Sequence, residues 1–233
     1  MPTCSHLKLL KWIALFFKYL WRVSCEQGCL LFFSFAVCLA PFKVAADASL
    51  QVGDPIAGKV TSAMERCQEC HGEDGNSNDL RIPKHAGQNA NYLIKQLRDF
   101  KSGARQHEVM SIMAADLTEA QMANIAAYFA SQKTMQGLAG KDYPLASQLF
   151  FQGDEARDIP PCQSCHGERG KGKQVDGVSY PVIGGQNRNY LYTELVNWQL
   201  EERSNSPGGI MNKIAKQLSD EEINALANYL SGL

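Results

Sequence analysis

Apolar positions in the last part of the chain fall on a helical period. Ile223, Leu226, Ala227 and Leu230 follow the i, i+3, i+4, i+7 spacing of a buried stripe, and Met122, Ile125, Ala126 and Phe129 do the same earlier on. A capping box introduces each stripe: Thr118 with Gln121, and Ser219 with Glu222. A middle helix is predicted to begin near Asn91 and again near Asn189, carrying Tyr92, Leu93 and Leu97 or Tyr190, Leu191 and Leu195. A first helix precedes each of these, clearest from Pro144 to Gly153. No stretch alternates like a strand for any length. The pattern predicts an all-α fold.

The same features recur in the same order. Gly87-Gln88-Asn89-Ala90-Asn91-Tyr92-Leu93 returns as Gly185-Gln186-Asn187-Arg188-Asn189-Tyr190-Leu191, an offset of 98 positions. Leu117-Thr118-Glu119 returns as Leu218-Ser219-Asp220 at an offset of 101. An offset that grows while the order holds indicates an internal duplication with small loop insertions. Two tandem domains are expected, 47–136 and 137–233, joined within the breaker-rich stretch from Gln132 to Pro144.

The duplicated chemistry is Cys67-Gln68-Glu69-Cys70-His71 and Cys162-Gln163-Ser164-Cys165-His166, offset by 95. C-x-x-C-H is the pattern of covalent c-type haem attachment. Two thiols one helical turn apart add across the two porphyrin vinyl groups, and the following histidine lies beneath the iron. A redox dithiol needs no adjacent histidine, and a structural zinc site would pool four ligands. Two complete copies favour two covalently bound haem c groups, held by Cys67 and Cys70 and by Cys162 and Cys165, with His71 and His166 as iron ligands. Three helices in each short domain give a thin core, so the haem is expected to complete it.

Charge and cysteine usage place this chemistry. The chain of 233 residues carries a net charge of −1, but residues 1–46 hold five bases against one acid, leaving the remainder near −5. A body of that sign is a poor nucleic-acid binder. Residues 1–46 resemble an export signal: Lys8 to Arg22 is basic, the run from Leu30 to Phe42 is apolar, and Val44-Ala45-Ala46 suits cleavage before Asp47. That run spans 13 residues, or about 20 Å of helix against a hydrocarbon core of about 30 Å, which is short for a retained anchor. A lipoprotein acylated at Cys38 would want a small residue where Val37 stands. Of eight cysteines, four lie in the leader and four in the two haem motifs, so the exported chain has no thiol to spare.

A carrier of electrons fills both axial positions of its iron, and His/Met ligation raises the potential. Lobe one offers Met110 and Met113, and lobe two offers Met211. Under the offset of 101, Met110 pairs with Met211 within a shared M-x-x-x-A-x-x-L pattern, while Met113 pairs with Ile214. Met110 and Met211 are therefore the expected sixth ligands, and Met113 an ordinary core residue. His107 is not duplicated and is expected to be peripheral. His85 stands where lobe two has Ile183. Against the haem, and titrating at about pH 6–7, it would place a positive charge near iron one and raise its potential in acid. Pointing into solvent, its charge would be screened.

Taken together, the C-x-x-C-H-G motifs, the P-x-x-x-G-Q-x-x-x-Y-L segments at Pro83–Leu93 and Pro181–Leu191, and a Met before a terminal L-[ST] helix resemble the dihaem cytochrome c4 family. The resemblance covers essentially all of 47–233. It implies two tandem cytochrome c-like haem domains, with the Pro83 and Pro181 carbonyls accepting a hydrogen bond from the axial histidines. It also implies a periplasmic carrier, soluble or peripherally membrane-associated, passing electrons from a quinol-oxidising cytochrome bc complex to haem–copper oxidases. His85, at a usually aliphatic position, and the long leader depart from the family's pattern. Two other functions compete. A dihaem peroxidase or thiosulfate-oxidising enzyme would need an open iron, which the paired methionines argue against. The haem subunit of a flavocytochrome c sulfide dehydrogenase shares this architecture and would differ by binding a flavoprotein.

Overall fold

The computed structural model describes residues 53–137 and 142–233, which lie in one compact unit. The predicted leader and the proposed cleavage point lie outside these residues.

Lobe one opens with α1 (Pro55–Met64). Asp54 starts it by accepting a hydrogen bond from the Ile56 N–H at 2.8 Å, and Pro55 occupies a first-turn position that has no helical acceptor for an N–H. There follow α2 (Cys67–His71), α3 (Ala90–Ser102), α4 (Met110–Ala115) and α5 (Glu119–Ala130). Asn89 caps α3, and the Thr118–Gln121 box caps α5 as expected. Helix α1 crosses α5 at Gly58, where a Cβ would lie 1.9 Å from the Asn124 carbonyl oxygen. Only glycine permits that approach. The core gathers the predicted stripe of Met122, Ile125, Ala126 and Phe129 with Leu93 of α3, and Cys67 packs against it.

Lobe two repeats the order: α6 (Pro144–Phe151), α7 (Cys162–His166), α8 (Arg188–Gln199), α9 (Ile210–Gln217) and α10 (Asp220–Ser231). Its core joins Leu149, Leu195, Ile223 and Leu226, and Cys162 packs against it. Lobe two adds three single turns of 3-10 helix (Glu155–Arg157, Glu168–Gly170 and Pro207–Gly209) and a hairpin. Between α7 and α8 a short antiparallel hairpin pairs β1 (Lys173–Val175) with β2 (Val178–Tyr180). Asp176 and Gly177 close it with φ of 48° and 78°, the positive pair that a tight two-residue hairpin turn requires. The hairpin occupies the region where the repeat offset rises from 95 to 98.

The two lobes dock through a pseudo-twofold interface built from equivalent residues 98 positions apart, Gln88 with Gln186 and Lys84 with Val182. Gln88 Nε2 donates to the Val182 carbonyl at 2.9 Å, and the Val182 N–H donates to Gln88 Oε1 at 2.8 Å. Reciprocally, the Lys84 N–H donates to Gln186 Oε1 at 2.7 Å and Gln186 Nε2 donates to the Lys84 carbonyl at 2.9 Å. Each glutamine amide thus reads the other lobe's backbone as a β-strand neighbour would. Asn187 breaks the symmetry: instead of capping α8 it donates to the Asp79 and Ile82 carbonyls of lobe one, at 3.0 and 2.7 Å. The repeated Gly-Gln-Asn segment is the docking element between lobes.

Candidate haem sites

Each C-x-x-C-H run forms one turn of helix, α2 or α7, ended by a glycine at positive φ: Gly72 at 86° and Gly167 at 77°. Cys67 and Cys162 are half-buried against their lobe cores, Cys165 is half-buried, and Cys70 is exposed. Burial raises the Cys67 and Cys162 thiols to about 11. A redox dithiol or a metal thiolate shows the opposite shift, because its chemistry needs the anion. Among the described residues no three His, Cys, Asp or Glu side chains converge as a metal cluster. The two motifs sit in separate lobes and do not pool ligands.

The histidines are held alike. His71 Nδ1 lies 2.9 Å from the Pro83 carbonyl oxygen, and His166 Nδ1 lies 3.1 Å from that of Pro181. A carbonyl only accepts, so Nδ1 carries the proton and Nε2 is left with a lone pair. This is the arrangement in which an outer partner fixes a ligating imidazole. Burial keeps both rings below the ordinary histidine range, so they are neutral and able to ligate. The residues fit a covalent haem in each lobe.

Met110 opens α4 and Met211 lies in the first turn of α9, both half-buried. Met113, at 37% exposed, faces outward more than a core residue would. Ala114 and Ala215 are fully buried, and Leu117 and Leu218 nearly so, which places the shared M-x-x-x-A-x-x-L pattern in one register in both lobes. Polar side chains fasten both helix starts. His107 Nδ1 accepts from the Val109 and Met110 N–H groups at 3.3 Å, and Ser206 Oγ accepts from the Met211 N–H at 3.2 Å. His107, expected to be peripheral, is exposed and supports the Met110 turn.

His85 does not point into solvent. Its ring stacks on His71 with centroids 4.1 Å apart and planes at 28°, and it touches Phe129. Burial, then the neighbouring His71 and Arg105, push it well below the ordinary histidine range. The expected titration near pH 6–7 is therefore corrected: His85 lies beside His71 as a neutral ring, and charging it there would mean burying an unpaired cation.

The fold and both sites define a class, the c-type cytochromes. The family model for cytochrome c matches residues 56–133 and 148–233, one match per lobe. Cytochrome c4 of Thiocapsa roseopersicina is 40% identical over 189 residues, covering 80% of this chain and 96% of that one. The crystal structure of reduced recombinant cytochrome c4 from Pseudomonas stutzeri superposes with a TM-score of 0.70 at 37% identity, covering 78% of this chain and 99% of that one. A thiosulfate dehydrogenase electron acceptor of Stutzerimonas stutzeri is 33% identical over 187 residues, covering 76% of this chain and 82% of that one. The chain belongs to the cytochrome c4 family. It is a dihaem c-type electron carrier with two covalently bound haem c groups.

Proposed function

We propose that this protein is an exported, periplasmic one-electron carrier that takes electrons from a quinol-oxidising cytochrome bc complex and delivers them to terminal haem–copper oxidases. Residues 1–46 are the cleaved signal, and 47–136 and 137–233 are the two haem domains. Cys67 and Cys70, and Cys162 and Cys165, hold the haems. His71 and His166 are the proximal ligands, oriented by Pro83 and Pro181, and Met110 and Met211 are the sixth ligands. Bound in this way, each haem supplies one reversible electron.

The observation that carries the reading is the mirrored pair of histidine–proline contacts, 2.9 and 3.1 Å, with a methionine helix in the same register in each lobe. Two irons with both axial positions filled suit outer-sphere transfer and leave no place for a substrate. The chain's residues then have three tasks: to orient the imidazoles, to exclude water with the apolar cores, and to keep the geometry unchanged on reduction. No helix among the described residues is long and apolar enough to cross a membrane.

A second reading concerns the donor, because one relative is a thiosulfate dehydrogenase electron acceptor. The test is to offer the oxidised protein two donors separately, bc complex with quinol and thiosulfate dehydrogenase with thiosulfate, and follow haem reduction. Rapid reduction only by the first supports the proposal, and only by the second replaces the donor. A flavoprotein co-purifying with the chain from its native cells would instead support the flavocytochrome alternative.

A further inference from the structure

Behind both sites, at the lobe junction, lies a buried polar network with the same pseudo-twofold symmetry. Arg105 donates to Gln96 Oε1 of its own lobe at 2.9 Å and to the Tyr190 hydroxyl of the other at 3.3 Å. Arg203 reaches the Tyr92 hydroxyl and Gln96 Oε1 across the junction, at 3.2 and 3.1 Å. Glu194 Oε2 takes both guanidiniums, Arg105 at 3.0 Å and Arg203 at 2.5 Å. Tyr92 pairs with Tyr190 and Arg105 with Arg203 at the offset of 98, and so does Gln96 with Glu194. That last pair is unlike: an amide in lobe one and a carboxylate in lobe two.

The asymmetry has an electrostatic consequence. Two guanidiniums, 10% and 8% exposed, share the Glu194 carboxylate, 15% exposed, so these six side chains carry a net charge of +1, with Glu194 ionised. Burial alone would raise the Glu194 carboxyl, but the facing Arg203 and Arg105 hold it below the ordinary carboxylate range. Charges interact far more strongly here than at a solvated surface. The helices that carry the network also form the site cores. Helix α3 turns Tyr92 and Gln96 to the junction while Leu93 enters the core on which Cys67 packs, and in α8 Leu195 enters the core on which Cys162 packs.

We propose that Glu194 is a positioning and tuning residue that sets the charge of the lobe junction and thereby holds down the reduction potentials of both haems. This rests on the two-haem reading above. Reduction adds an electron to an iron, so a nearby carboxylate disfavours it and a nearby guanidinium favours it. With Glu194 present, one cation is neutralised; the repeat's own residue, glutamine, would leave two.

The experiment is a spectroelectrochemical titration of the exported holoprotein and three variants. E194Q should raise both potentials, Q96E should lower both, and the double variant Q96E/E194Q should return them to wild-type values, because position 96 meets the same two arginines. Unchanged potentials in E194Q overturn the proposal. So does a rise that the double variant fails to reverse, which would reflect rearrangement instead of charge. If E194Q does not accumulate folded, Q96E alone decides: lowered potentials support the proposal and unchanged ones overturn it. The intact mass of wild type and variants tests haem attachment separately. A missing haem counts against the two-haem reading, whereas two haems with unmoved potentials count against Glu194.

Discussion

Replacing Gln88 by leucine removes one of the two amide clamps between the lobes while keeping the side-chain volume. Gln88 and Val182 are 3% and 5% exposed, so the Val182 N–H and carbonyl lose partners that water cannot readily replace. The Asn89 N–H, which also donates to Gln88 Oε1, loses its partner as well. An orphaned buried backbone group costs about 1–3 kcal/mol, so the two Val182 groups together cost about 2–6 kcal/mol. At about 2–4 °C per kcal/mol for a chain of this size, the unfolding midpoint should fall by roughly 5–20 °C. Gln186→Leu strips the Lys84 groups in the same way and should fall by a similar amount. Because both clamps close one interface, the double variant should lose less than the sum. The assay is thermal unfolding of the haem-loaded variants by circular dichroism. A midpoint change below about 2 °C in both single variants, the range of an ordinary surface substitution, would refute the account of the interface.

The remaining predictions concern the sites and the junction. Met110→Ala should leave iron one without its sixth ligand, lowering its potential and abolishing its share of the methionine–iron charge-transfer band, whereas Met113→Leu should leave the band intact; the reverse result would exchange their roles. His85→Leu should not change how the haem-one potential varies between pH 6 and pH 8 (about the range where an ordinary histidine titrates), because burial keeps His85 neutral; loss of a pH dependence present in wild type would contradict this. Glu194 is held below its ordinary carboxylate range, so its contribution to stability is complete above about pH 4.5 and is lost as pH falls through the folded-state value. Thermal midpoints of E194Q should therefore fall less steeply in acid than those of wild type, and equal slopes would contradict the pairing.

What the sequence made legible follows from physics that is local in the chain. The boxes at Thr118–Gln121 and Ser219–Glu222 and the stripes behind them are read within one or two turns, and they appear as expected. The five-residue helices α2 and α7 are too short to show a period. The hairpin did leave a trace: Asp176-Gly177 between Val175 and Val178 is a turn pair, but strands of three residues are too brief to alternate visibly. The sequence offered His85 two places, against the haem or in solvent, but its stacking on His71 and its ionisation depend on burial against Phe129 and on the charge of Arg105, from other parts of lobe one. The junction was the least accessible feature. Gln88 and Tyr92 were visible as repeated residues, but a repeat alone does not say that each copy's partner lies in the other copy.

Each chain should store two electrons and exchange them singly. A coulometric titration of the exported protein, counting electrons per chain while the haem bands are recorded, tests it most directly. The account predicts two electrons per chain, taken up and returned reversibly in two one-electron steps. A single electron per chain, or one concerted two-electron step, would contradict it.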